Sequence, residues 1–162
     1  LLVVLGAFHD RIEAALDGIA FERVANPDWP RGLGTSLRAC ARALAAHRGP
    51  TLVVACDQPA LEAAHLHALL ALAAQAPSGC AATAHGESRG IPAVVSASVL
   101  AQALDFDGDR GFGAALAALD AAALGVLDAP ALRLDVDDAA GLRAAVAAGL
   151  LDRDDGGTPP HA

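Results

Sequence analysis

Thr51-Leu52-Val53-Val54-Ala55-Cys56-Asp57-Gln58-Pro59 is the stretch that decides the fold. From Thr51 to Cys56 it is apolar and rich in β-branched residues, the pattern of a strand buried on both faces of a parallel sheet. Asp57 follows at once, at the edge where such strands end, and Pro59 restricts the backbone just beyond it. Ligands of open α/β sheets bind outside the carboxyl ends of the strands. A carboxylate in that place suits magnesium, a hard cation that takes oxygen ligands and keeps several waters. Asp57 equally suits the plainer role of capping the helix that follows.

On the N-terminal side, Leu1 to Leu5 ends at Gly6 and reads as a second buried strand. Asp10 to Leu16 has a helical pattern, and Phe21 to Ala25 suits a third strand. Asn26-Pro27-Asp28-Trp29-Pro30-Arg31-Gly32-Leu33-Gly34 is loop chemistry, with Thr35 or Ser36 placed to cap a helix. Gly49-Pro50 stops that helix before Thr51.

Beyond Pro59 a helix is expected from about Glu62 to Ala74. Weaker strands, Cys80 to Ala84 and Ile91 to Val95, flank a polar segment. Helices from Ser98 to Leu104 and Phe112 to Ala122 follow, then short strands near Gly125 and Leu132 and a last helix carrying Leu142, Ala145, Val146 and Leu150. Strands alternating with helices predict an α/β fold, a Rossmann-like three-layer α/β/α sandwich on a mainly parallel sheet. One domain over residues 1–151 is expected, with 152–162 as a polar, frayed tail.

At 162 residues the chain can bury one core, and 54% hydrophobic residues exclude a disordered linker. Its formal net charge of −8 disfavours nucleic acid and anionic membranes as partners. A phosphorylated small molecule remains compatible where local donors or a metal offset the repulsion. The three cysteines, Cys40, Cys56 and Cys80, form no Cys-x-x-Cys pair, which predicts a reduced, cytoplasmic protein. No stretch is long and uncharged enough to span a bilayer.

Two further constellations carry chemistry. Gly32 and Gly34 permit close approach of a ligand to the backbone, and the helix start at Thr35-Ser36 offers free N–H groups to an anion or a base edge. The alternative is a tight loop with a good cap; Arg31 and Arg38 flank it and suit phosphates or plain solvent. In Asp135-Val136-Asp137-Asp138, residues 135 and 137 share a face if the segment is extended, so either suits a metal held with Asp57. The plainer reading is Asp137 or Asp138 as the N-cap of the last helix. The histidines are scattered: His65 and His67 lack the four-residue spacing of a helical zinc pair. Cys56 has no base beside it and reads as a buried structural thiol.

Taken in order, these segments resemble the molybdenum cofactor nucleotidyltransferases, and within them the cytidylyltransferase branch. The matching pieces are Val3-Val4-Leu5-Gly6-Ala7, Asn26-Pro27-Asp28-Trp29, Gly32-Leu33-Gly34-Thr35-Ser36-Leu37-Arg38 and Cys56-Asp57-Gln58-Pro59. Arg89-Gly90-Ile91-Pro92 is similar to the family's Gly-x-Pro segment, Gly108-Asp109-Arg110-Gly111 to its Gly-Asp-Lys-Gly turn, and Leu134 to Leu142 to its closing Asp-x-Asp-Thr-Pro-Glu-Asp-Leu segment.

The resemblance implies a magnesium-dependent enzyme that transfers CMP from CTP to the terminal phosphate of molybdopterin, releasing pyrophosphate. It implies Asp57 as the catalytic residue, with Asp57 and Asp137 on the metal. Asn26, Gly32, Gly34, Thr35, Ser36, Gln58 and Pro59 would meet the nucleotide, and Arg89, Gly90 and Pro92 the second substrate. A molybdoenzyme of the xanthine dehydrogenase type is the implied partner. GTP in place of CTP, a sugar phosphate as acceptor, or a non-catalytic carrier of the molybdenum cofactor are the alternatives. The family opens with a strand and a glycine-rich loop ending in lysine; here the match begins at what would be the second strand, and all 11 basic residues are arginine. The expectation is therefore an N-terminally incomplete domain with little activity of its own. Asp138-Ala139-Ala140-Gly141 also departs from the family's Thr-Pro-Glu-Asp.

Overall fold

The structure is a computed structural model and describes residues 1–151. The expected tail, 152–162, lies outside the described residues. Its strands are β1 (Leu2–Leu5), β2 (Glu22–Ala25), β3 (Thr51–Val53), β4 (Cys80–His85), β5 (Ser88–Val95) and β6 (Leu124–Asp128). Its helices are α1 (His9–Ala15), α2 (Leu33–Ala43), α3 (Ala63–Gln75), α4 (Ala97–Gln102), α5 (Gly113–Ala117) and α6 (Ala139–Ala147). Short 3-10 turns cover Trp29–Arg31, Ala103–Asp105, Ala121–Ala123 and Pro130–Arg133.

Alternation along β4 and β5 builds the three layers. Cys80, Ala82, Ala93 and Val95 point to one face, where Val99 and Leu100 of α4, Leu116 of α5 and Ala41 of α2 cover them with Phe106 and Phe112. Ala81 and Val94 point to the other face and meet Leu69 and Ala73 of α3. The small side chains of β4 let helices approach the sheet closely, so an alanine-rich sequence still fills its interior. A third cluster, Ala60, Ala129 and Leu132, packs beneath the loop that follows β3.

The sheet is partly parallel and partly antiparallel. β1 pairs with β2 and β4 with β6 in parallel register, whereas β5 runs antiparallel to both β3 and β4. The antiparallel pairing has a local cause: β4 and β5 are joined by Gly86-Glu87, with Gly86 at φ +69°. So short a link permits only a hairpin, since a parallel pair needs a long crossover. Strand orders are β1-β2 in one sheet and β3-β5-β4-β6 in the other.

Four local expectations are corrected. The strand expected from Thr51 to Cys56 is three residues long and half-buried, with Val54 44% exposed, because among the described residues it pairs with β5 alone. The segment around Leu132 is a 3-10 turn and not a strand, with Pro130 in its first turn. α2 begins at Leu33, two residues before the expected caps, so Thr35 lies inside the helix and its hydroxyl donates back to the Gly32 carbonyl at 2.8 Å. The helix expected from Phe112 to Ala122 stops at Ala117 and resumes only as a 3-10 turn over Ala121–Ala123. Asp138 does cap α6, accepting from the backbone N–H groups of Ala140 and Gly141 at 2.8 Å.

Candidate functional site

β3 ends at Val53, and the chain then runs irregularly through Ala55 to Asp57 before the turn at Gln58. Two bonds hold this segment against the late part of the chain. The Val136 N–H donates to the Asp57 carbonyl at 2.8 Å, and the Gln58 side-chain amide donates to the Leu132 carbonyl at 2.9 Å. Gln58 is only 7% exposed, and its Oε1 has no hydrogen-bond partner among the described residues.

These ties open a cavity of about 490 Å³ lined by Ala55, Asp57 and Gln58, by His85, Gly86, Gly90 and Ile91 of the β4–β5 hairpin, and by Arg133 and Asp135. Its volume is that of a small-molecule site. Asp135 therefore shares a space with Asp57. Asp137, two residues on, is exposed and is not among the lining residues. The Asp135 backbone is held from behind by α6, where a Cβ at Gly141 would come within 2.8 Å of the Asp135 carbonyl oxygen.

Among the described residues no three His, Cys, Asp or Glu side chains come together as a metal site. Two carboxylates on one cavity fit a cation that completes its shell with water and substrate oxygens, the usual habit of magnesium. Of the second-substrate residues expected from sequence, Gly90 lines this cavity, Arg89 is half-buried outside its lining, and Pro92 is buried behind a cis peptide after Ile91.

The nucleotide residues expected between Asn26 and Ser36 lie elsewhere. Asn26 is 4% exposed and spends both amide hydrogens within the protein, on Thr35 Oγ1 and Ser36 Oγ at 2.9 Å. Its Oδ1 accepts from the Asp28 N–H at 3.1 Å. The open backbone expected at Gly32 and Gly34 is filled by the protein itself. A Cβ at Gly32, where φ is +107°, would strike Gly108, and one at Gly34 would lie 2.8–3.0 Å from Asp107 backbone atoms. The Gly34 N–H already donates to the Gly108 carbonyl at 2.8 Å, so the helix start has one donor fewer to offer an anion.

Arg31 pairs with Asp107 over the same contact, and Arg38 reaches Asp28 Oδ2 and the Phe106 carbonyl, both at 3.3 Å. The hydrogen bond from Arg31, and then that from the Gly108 backbone, hold the Asp107 carboxyl below the usual carboxylate range. A second cavity of about 410 Å³ runs beside β2 and α2, lined by Asn26, Asp28, Thr35, Arg38 and Arg42 among others. Pro59 is half-buried and lines neither cavity.

His85 and Arg133 are the residues that the sequence did not mark. Each stands alone in the chain, and only the hairpin and the 3-10 turn after β6 bring them to Asp57. No helix among the described residues is long and apolar enough to cross a membrane.

The sequence model of the MobA-like NTP transferase domain family matches residues 1–124. No curated protein matches the chain. Among solved structures, Rv0371c from Mycobacterium tuberculosis H37Rv is similar at 21% identity with a TM-score of 0.68, over 91% of this chain and 75% of that one. Its homologue from Mycobacterium sp. strain JC1 is similar at 22% identity with a TM-score of 0.69, over 91% and 74%. A manganese complex of the M. tuberculosis Rv0371c protein is similar at 21% identity with a TM-score of 0.65, over 89% and 75%. At these identities the likeness is one of fold.

Proposed function

Because the chain belongs to the MobA-like NTP transferase domain family, we propose that it transfers CMP from CTP to the terminal phosphate of molybdopterin. Membership makes it a nucleotidyltransferase with a nucleoside triphosphate substrate. The choice of CTP and molybdopterin rests on the resemblance of its ordered motifs to the cytidylyltransferase branch. In the reaction, an oxygen of the acceptor phosphate forms a bond to the α-phosphorus, the bond to the β-phosphate bridging oxygen breaks, and pyrophosphate leaves with that electron pair.

The observation that carries the reading is the cavity that Asp57 and Asp135 both line. We assign the divalent cation to Asp57, with Asp135 as its neighbour in the cavity and Asp137 as the partner implied by resemblance. The manganese complex of a structural neighbour supports a divalent ion in this fold, and magnesium is our specific choice. Such an ion neutralises phosphate charge during transfer. The protein's own share is positioning: the Val136–Asp57 and Gln58–Leu132 bonds keep the two acidic segments together. Asn26, Thr35 and Ser36 act on the nucleotide through the loop that they brace.

Turnover of labelled CTP with molybdopterin and magnesium tests the reading. Asp57→Ala is expected to lower it at least about 100-fold, the scale of losing one charge-stabilising group. Unchanged turnover removes Asp57 from the reaction. Faster turnover of GTP, or of a sugar phosphate acceptor, replaces the substrate assignment within the same family. Cofactor binding by calorimetry that ignores CTP, with no turnover, supports the carrier instead.

A further inference from the structure

The Asp57 cavity has a charge problem of its own. An acceptor bearing a phosphate must enter a space lined by Asp57 and Asp135, in a chain of net charge −8. Arg133 is the one arginine among the lining residues, and it forms no ion pair with either carboxylate or with any other described residue. An unpaired guanidinium beside carboxylates keeps its fork of donors available, and that fork matches phosphate oxygens.

His85 supplies a second directed group. Its Nε2 lies 2.9 Å from the Ile91 carbonyl, an oxygen that can only accept, so Nε2 carries the hydrogen. Nδ1 is then the ring atom left for a ligand. The ring is half-buried and is held by this bond to the Ile91 carbonyl. Gln58, whose Oε1 is buried and without a partner among the described residues, lines the same cavity.

We infer that Arg133 and His85 bind the phosphate of the acceptor, making this cavity the acceptor half of the site. The acceptor class is a phosphate monoester bound as its monoanion, with oxygens accepting from the Arg133 guanidinium and the remaining P–OH donating to His85 Nδ1. The inference rests on the transferase reading only for the word acceptor, because phosphate binding at Arg133 is measurable without turnover. It also explains why neither residue belongs to a motif with the nucleotide segments.

The test has two arms. In the first, the wild-type protein without nucleotide or metal is titrated with inorganic phosphate and with phenyl phosphate, followed by backbone amide NMR. Saturable shifts are expected at Gly86, Gly90 and Arg133. Arg133→Ala should weaken phenyl phosphate binding at least tenfold, Arg133→Lys less, and His85→Phe several-fold. Shifts confined to the Asn26–Arg42 cavity, or equal affinity in Arg133→Ala and wild type, overturn the inference.

In the second arm, Arg133→Ala should raise KM for the acceptor while KM for CTP stays. A rise in KM for CTP alone overturns the acceptor assignment and leaves the transferase reading standing. No turnover with any nucleotide, together with intact Arg133-dependent phosphate binding, sinks that reading and leaves the phosphate site. An unfolded Arg133→Ala protein is recognised by its amide spectrum, and Arg133→Lys and His85→Phe then carry both arms.

Discussion

Gly34 shows how one residue type can be read correctly in place and differently in purpose. A glycine was expected where the backbone is approached closely, and it is, but the approaching group is the turn at Asp107 and Gly108. Gly34→Ala should therefore cost stability, about 1–3 kcal/mol for a forced contact in a packed interior. A urea midpoint unchanged from wild type would show that the turn is not seated on α2. The cysteines offer a second residue-scale check. Cys56 is exposed and not buried as expected, because β3 ends at Val53 and leaves it in the irregular segment; Cys40 is half-buried with its thiol pushed up by burial, and Cys80 is fully buried. Since the thiolate is the reactive form, Cys56 should label first with an alkylating reagent and Cys80 only on unfolding. Mass spectrometry of the labelled peptides gives the order.

Among the elements, the β4–β5 hairpin and α3 together decide where the site stands. The hairpin carries His85, Gly86, Gly90 and Ile91 to the cavity, and α3 supports it from behind through Leu69, which is 0% exposed against Ala73, Ala81 and Val94. Leu69→Ala should destabilise the protein by about 2–5 kcal/mol, the range for truncating a buried leucine. A loss below about 1 kcal/mol in denaturant unfolding would mean that the layer can collapse into the space. The elements themselves were largely legible. β1, β2, β4, β6 and α3 fall close to where apolar periodicity and the Gly and Pro breaks place them, whereas α6 ends at Ala147, short of Leu150, and buries Ala145 but not Leu142. The start of α2 was not legible, because Thr35 and Ser36 look like caps while the turn at Trp29–Arg31 feeds the helix earlier.

Across the whole molecule, the two halves of the expected site behave differently. The segment from Asn26 to Arg38 is clasped to the turn after Phe106 by the Arg31–Asp107 pair and by the Gly34 amide. Asp107 has its pKa lowered in the folded protein, so its contribution is present above the ordinary carboxylate range. It is lost as pH falls through the lowered value. NMR titration should place the Asp107 carboxyl below that of the unfolded chain, and Arg31→Ala should bring the two together. Coincident midpoints in the wild type would remove the clasp. The pair is exposed, so added salt should narrow the gap.

The sequence by itself determined the α/β class, the strand that precedes Asp57, a cap of the last helix at Asp137 or Asp138 and the ordered motifs that place the chain in its family. These are local facts, since strand and helix periods, capping chemistry and turn residues act over a few positions. Only the tertiary structure decided that Asp135 lines the cavity beside Asp57, that β5 runs antiparallel, and that His85 and Arg133 enter the same space. The meeting of Asp135, Arg133 and His85 around the Asp57 cavity depends on contacts between segments far apart in the chain, whereas the direction of β5 against β4 follows from the short Gly86-Glu87 link. A hairpin two residues long and one bond from Val136 to the Asp57 carbonyl settle them, and neither leaves a periodic trace in the sequence.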